Sequence, residues 1–201
     1  REFISAGLED LSPSEVINLS SNGITAEQIK ALQSYGISDL SHPTIMDLFH
    51  NDIDLQYVRE LNKLGYTSLN AQEVLAMQIE GIPIQTIKEI HALGYPDISL
   101  AEVYELKIQG FEPSYVRGLR LLGYGDVPIS RLIELCDFRV SLDYIKNIQS
   151  TGLVDLSLEQ VLMFRMHDID KQFIKRAQVQ LTRMGQAATF SKILEKKINA
   201  D

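Results

Sequence analysis

Val58-Arg59-Glu60-Leu61-Asn62-Lys63-Leu64-Gly65-Tyr66 is the stretch that decides the fold, because it returns twice at a fixed interval. The copies are Ile87-Lys88-Glu89-Ile90-His91-Ala92-Leu93-Gly94-Tyr95 and Val116-Arg117-Gly118-Leu119-Arg120-Leu121-Leu122-Gly123-Tyr124, each 29 residues after the last. Gly7, Gly36, Gly65, Gly94, Gly123 and Gly152 keep the same interval with no insertion or deletion. A fixed period in this range is the signature of stacked repeats, each too small to bury its own apolar face.

Working outward from that stretch, each repeat reads as two short helices. An apolar anchor (Leu11, Leu40, Leu69, Ile98, Val127, Leu156) precedes helix-start signals: Ser-Pro-Ser-Glu at 12–15, Asn-Ala-Gln-Glu at 70–73, Ser-Leu-Ala-Glu at 99–102 and Ser-Leu-Glu-Gln at 157–160. In such capping boxes the first side chain accepts from an orphan amide and the fourth reaches back. The first helix buries two registers three residues apart, Val16, Ile45, Val74, Val103, Leu132, Val161 and Leu19, Leu48, Met77, Leu106, Leu135, Phe164. That spacing is helical, not strand-like. A turn follows at Gly23, Asp52, Gly81, Gly110, Arg139 and Asp168; Gly suits a left-handed helix end and Arg139 is expected to strain it. The second helix starts near Thr25, Asp54, Pro83, Pro113, Ser141 and Asp170. It buries Ile29, Val58, Ile87, Val116, Ile145, Ile174 and Leu32, Leu61, Ile90, Leu119, Ile148, Ala177, then ends at the glycine series.

These patterns predict an all-α chain, a right-handed α-solenoid of 29-residue two-helix repeats, read as one array over residues 1–201. Residues 1–8 are a partial repeat, 9–153 hold five full repeats, 154–184 are a last degenerate one, and 185–201 form a terminal cap. In that cap Phe190, Ile193, Leu194 and Ile198 supply the apolar side. Because residue 1 falls mid-helix in register, the reading expects a segment of a longer protein.

Composition narrows the function. The formal charge of −8 disfavours a general nucleic-acid binder, which neutralises phosphates with clustered Lys and Arg. No apolar run approaches the ~18 residues that cross a bilayer, so no membrane insertion of this segment is expected. The single Cys136 excludes an intrachain disulfide and a cysteine-based metal site. No metallopeptidase, nucleophile-elbow, phosphate-loop or calcium-loop pattern is present, and no catalytic residue, metal or cofactor is expected. His42 is read in a turn, His50 and His167 near first-helix ends, and His91 on the second-helix surface. Cys136 shares its register with Ser20, Phe49, Gln78, Lys107 and Arg165, so nothing there demands a thiol. Cytosol and periplasm both stay open.

One surface register is basic in every copy: Arg1, Lys30, Arg59, Lys88, Arg117, Lys146 and Lys175. Three residues on, and so on the same face, stand Gln33, Asn62, His91, Arg120, Gln149 and Gln178. This ridge has two readings. It is a strip for an extended acidic peptide or polyanionic glycan, with Tyr57, Tyr115, Tyr144, His91 and Arg120 beside it. Or each base pairs with an acid of its own or the next repeat and keeps the stack in register. A residue type kept in every unit is more naturally a building rule than a site.

The unit L-S-x-x-E-V-x-x-L-x-x-x-G-I-x-x-x-x-I-K-x-L-x-x-L-G-Y, over about residues 1–176, resembles helical repeats appended to some bacterial proteins. Among these are transmembrane metallopeptidases of the beta-lactam-sensing type, where the repeats lie outside the catalytic domain. The resemblance implies a bacterial interaction or sensor module joined to something else, and no catalytic residue carries over. The functional expectation is a noncatalytic scaffold that binds a protein or peptide. The alternative is a nucleic-acid-binding array, since a helix pair closed by glycine superficially resembles a helix-hairpin-helix unit.

Overall fold

The computed structural model describes residues 2–153 and 155–199. Among them the chain is all-helical with no strand; one isolated parallel bridge joins Ile37 and Leu69. After a 3-10 turn at Ile4–Ala6 come α1 (Pro13–Ser21) and α2 (Ala26–Ser34), then α3 (His42–His50) and α4 (Leu55–Lys63). The next pairs are α5 (Ala71–Ile79) with α6 (Ile84–Ala92), α7 (Leu100–Ile108) with α8 (Ser114–Leu121), and α9 (Ile129–Asp137) with α10 (Leu142–Gln149). Then come α11 (Leu158–Met166), α12 (Lys171–Arg183) and α13 (Phe190–Ile198). No described helix is long and apolar enough to cross a membrane.

The helices start where side-chain chemistry tells them to. Ser12, Thr25 and Ser157 form reciprocal capping boxes with Glu15, Gln28 and Gln160. Ser99 and Glu102 exchange the same pair of bonds, at 2.8 and 3.2 Å. The expected box at 70–73 is only half made. Asn70 accepts from the amides of Gln72 and Glu73, while the Asp39 carboxylate of the preceding repeat accepts from the Ala71 amide at 3.0 Å and from Asn70 Nδ2 at 3.1 Å. A carboxylate from one repeat therefore helps start a helix of the next. His42 is the first residue of α3 and not a turn residue, because the Ser41 hydroxyl caps the Thr44 amide ahead of it.

The helices also stop alike. At the end of α1, Ile24 N–H donates to Leu19 O and Gly23 N–H to Ser20 O, the double closure of a Schellman turn. The same two bonds recur at Arg139, where Val140 N–H reaches Leu135 O and Arg139 N–H reaches Cys136 O. Arg139 thus adopts the glycine geometry, at φ 52°, as do Asp52 and Asp168 at 51°. A non-glycine residue there costs about 1–2 kcal/mol, offset by two satisfied carbonyls and a buried Val140.

The described chain divides into two compact units, Arg1–Tyr104 and Glu105–Asp201. In the first, α1 packs on α3, α3 on α5, and α4 on α6; the 3-10 turn packs on α2. In the second, α8 packs on α10, α10 on α12, and α12 on α13. Helices thus pack on the corresponding helices of the next pair, which is why short helices, marginal alone, hold here. Leu19, Leu48, Met77, Leu106, Leu135 and Phe164 are fully buried, as are Ile29, Val58, Ile87, Val116, Ile145 and Ile174. Among the described residues every buried side chain is apolar. In the terminal helix Ile193 is buried and the Phe190 ring lies 4.9 Å from that of Phe164, whereas Ile198, expected on the covered side, is 53% exposed at the last turn.

Candidate functional site

The basic register follows directly on the buried one. Lys30, Arg59 and Lys88 of the first unit stand one residue after Ile29, Val58 and Ile87. Arg117, Lys146 and Lys175 of the second unit follow Val116, Ile145 and Ile174. A step of one residue turns a helix by about 100°, so all six are exposed. Arg1 lies outside the described residues.

The pairing expected of a building rule is made at Lys88 and Lys146 and, among the described residues, not at the other four positions. Lys88 Nζ lies 3.3 Å from Glu60 Oε2 of the preceding second helix, which is the expected cross-repeat pair. Lys63 shares that carboxylate at 2.5 Å, and the two lysines, Lys63 foremost, hold Glu60 below the usual carboxylate range. Lys146 meets only Asp143 of its own helix, at 3.4 Å, and Lys30 donates to the Ser5 hydroxyl at 3.3 Å. Arg59, Arg117 and Lys175 have no side-chain partner among the described residues.

The residues three positions on do the stitching instead. Gln33 Nε2 donates to Ala6 O at 2.8 Å and Asn62 Nδ2 to Tyr35 O at 2.5 Å. In the second unit Gln149 Nε2 donates to Leu122 O at 3.2 Å and Gln178 Nε2 to Thr151 O at 3.0 Å. Each acceptor is the carbonyl just before a closing glycine one repeat back. Such carbonyls are orphaned by the helix end, and a side-chain amide has donors to give them. His91 departs from the pattern. Its Nε2 lies 3.1 Å from the Tyr66 hydroxyl, which itself donates to Ile98 O at 2.7 Å, so the network assigns the imidazole proton to Nε2. Arg120 reaches the exposed Asp126 carboxylate at 3.3 Å.

Three tyrosines stitch in the other direction. The hydroxyls of Tyr57, Tyr115 and Tyr144 donate to Ile82 O at 3.0 Å, Val140 O at 2.5 Å and Ile169 O at 2.7 Å, one repeat ahead. Burial pushes the Tyr57 phenol up to about 12 and those of Tyr115 and Tyr144 higher still. Their polar tips are neutral donors committed to backbone carbonyls, and what remains for a partner is ring surface.

The histidines lie apart from one another in the fold. His42 Nε2 is 3.1 Å from Asn18 Oδ1, with Glu15 at 3.8 Å; His50 ends α3 and His167 caps α11. Two larger clefts occur in the second unit. One, of about 630 Å³, lies between α12 and α13 beside Phe173, Arg176 and Glu195. The other, of about 510 Å³, is lined by Gln109, Tyr115 and Cys136. Sequence reasoning missed both the amide stitching and the Cys136 cleft. The amide register was visible as Gln, Asn, Gln and Gln in four of its copies, but nothing local said which carbonyl it meets. No protein family, curated protein or solved structure matches this chain.

Proposed function

We propose that the chain is a noncatalytic interaction scaffold, a right-handed α-solenoid of 29-residue two-helix repeats whose second helices present basic rows to an acidic polypeptide. The observation that carries this reading is the exposure of Arg59, Arg117 and Lys175, at one register, without side-chain partners among the described residues. Amides and tyrosine hydroxyls do the stacking, so these cations are not needed for it. An exposed pair contributes only about 0–1 kcal/mol. Binding through such a row therefore needs an extended partner meeting several cations at once, and it weakens with salt. The runner-up, a nucleic-acid-binding array, is disfavoured by the net charge and by Asp39, Asp97, Asp126 and Asp155 beside the closing glycines.

The test is the triple variant Arg59→Glu, Arg117→Glu, Lys175→Glu. Its melts should match wild type within about ±0.5 kcal/mol per site, as for ordinary surface changes. Fluorescence anisotropy with a 20-residue Glu/Asp-rich peptide at low salt should show binding to wild type and none to the variant. A salt-dependent loss of stability with unchanged peptide binding refutes the proposal and returns the row to a stacking role. Tighter binding of duplex DNA than of the acidic peptide favours the runner-up. A small-angle scattering profile of a compact globule refutes the solenoid.

A further inference from the structure

Arg165, on α11, fills a defined place. Its Nε donates to Phe138 O at 3.0 Å, and its guanidinium carbon stands 5.5 Å from the centroid of the Tyr144 ring. One repeat earlier the corresponding residues are Cys136, Gln109 and Tyr115. The frame there is the same, because Tyr115 is held by Val140 O as Tyr144 is by Ile169 O. The occupant is missing. Where Arg165 has a long cationic side chain, Cys136 has a thiol, and the cleft of about 510 Å³ opens over Tyr115 and Gln109. Gln109 lines it, and the buried Oε1 of that residue has no hydrogen-bond partner among the described residues, an acceptor without a donor. A buried acceptor left unmade is costly, and a guanidinium offers five donors and stacks on an aromatic face. Two other residues of this register are long and engaged within the array: Gln78 accepts from the Asp54 amide at 3.3 Å, and Lys107 meets Glu112 at 2.8 Å.

We infer that the Cys136 cleft is a slot for an arginine side chain of a polypeptide partner, with Tyr115 as its stacking face and Gln109 O and Oε1 as its acceptors. The inference rests on the interaction reading above for the kind of partner; its cleft adjoins the basic register at Lys146 but uses none of the three cations, Arg59, Arg117 and Lys175, that carry that reading. The lining carries Arg139 and Lys146 against Glu112 and Asp143, with Lys146 lying 3.4 Å from Asp143 and Glu112 lying 2.8 Å from Lys107. Arg139 lines the same cleft and, with Lys146 held by Asp143, is the rival cation there.

The probe is acetyl-Gly-Arg-Gly-amide, compared with its citrulline analogue, which keeps the shape and loses the charge. Two readouts serve: the Gln109 side-chain amide resonance, and the rate of iodoacetamide reaction at Cys136, the chain's single thiol. The arginine peptide should shift the resonance saturably and slow alkylation several-fold, and citrulline should do neither. Cys136→Arg should abolish the shift and raise the melting temperature by filling the slot as Arg165 does. Gln109→Ala, which keeps the backbone carbonyl, should weaken binding several-fold even if Cys136→Arg folds poorly. Arg139→Ala should leave binding intact or strengthen it. Equal responses to arginine and citrulline, or undiminished binding by Gln109→Ala, overturn the proposal. Acidic-peptide anisotropy of Cys136→Arg should equal wild type, so failure here is distinguishable from failure of the basic-row reading.

Discussion

Gly36→Ala and Gly65→Ala change the same position of successive repeats and should differ sharply in cost. Both glycines close a second helix with positive φ, 87° at Gly36 and 102° at Gly65. A Cβ at Gly65 meets nothing within 4 Å, so its cost is the left-handed backbone alone, about 1–2 kcal/mol. A Cβ at Gly36 falls 2.1 Å from the Thr67 carbonyl oxygen and 2.9 Å from its carbon. Those are backbone atoms of the next repeat, and no rotamer relieves them. To restore an ordinary contact the 67–69 segment must retreat by more than about 1 Å. That movement breaks the Leu69 N–H to Gly36 O bond of 2.9 Å, worth about 0.5–1.5 kcal/mol net. It also loosens Leu69, which is 2% exposed. With about 1 kcal/mol for partly exposing Leu69, the sum is about 2.5–4.5 kcal/mol for Gly36→Ala, an excess of about 1.5–2.5 over Gly65→Ala. With a urea m-value of about 2 kcal/mol/M, that excess moves the midpoint about 1 M lower. Equilibrium urea unfolding followed by circular dichroism at 222 nm reads it. Midpoints that agree within error for the two variants would refute the close approach.

Two further outcomes are expected. Leu106→Ala removes a fully buried side chain from α7 and should cost about 2–5 kcal/mol through the cavity it leaves, so a melting temperature equal to wild type would show that this register is not core. Tyr57 and Tyr66 keep their protons to about 12 where an ordinary tyrosine has 10.0; the folded chain then holds more protons than the unfolded one between those values, and stability falls as pH rises through the window. Urea midpoints at pH 9.5, 10.5 and 11.5 should decline in wild type and decline less in Tyr57→Phe; a flat wild-type profile contradicts the burial of these phenols.

Much of the architecture was legible because it is written in local chemistry. Capping pairs such as Ser12 with Glu15 act within four residues, and glycines such as Gly23 and Gly36 announce a left-handed helix end without reference to the rest of the chain. The i, i+3 spacing of Leu19 after Val16, or Leu61 after Val58, marks a helix face wherever it occurs. The exception is the box expected at Asn70, which is half made, while Asp39 of another repeat binds the Ala71 amide and the Asn70 side chain.

What only the tertiary structure decided are the contacts between repeats, since these depend on how far one helix is displaced and rotated on the next. The residues Gln33, Asn62, Gln149 and Gln178 share a helix face with the basic register, which the sequence shows; that they donate to carbonyls 27 residues back is set by the stacking. The same holds for the hydroxyls of Tyr57, Tyr115 and Tyr144, committed to carbonyls 25 residues ahead. It holds again for the cleft beside Cys136 and Tyr115, whose lining comes from residues that only the stacking brings together. Periodicity and capping come from bonds a few residues long, and sequence carries those. Which donor meets which acceptor across a stack is fixed by rigid-body geometry summed over a whole repeat, and that only the folded chain supplies.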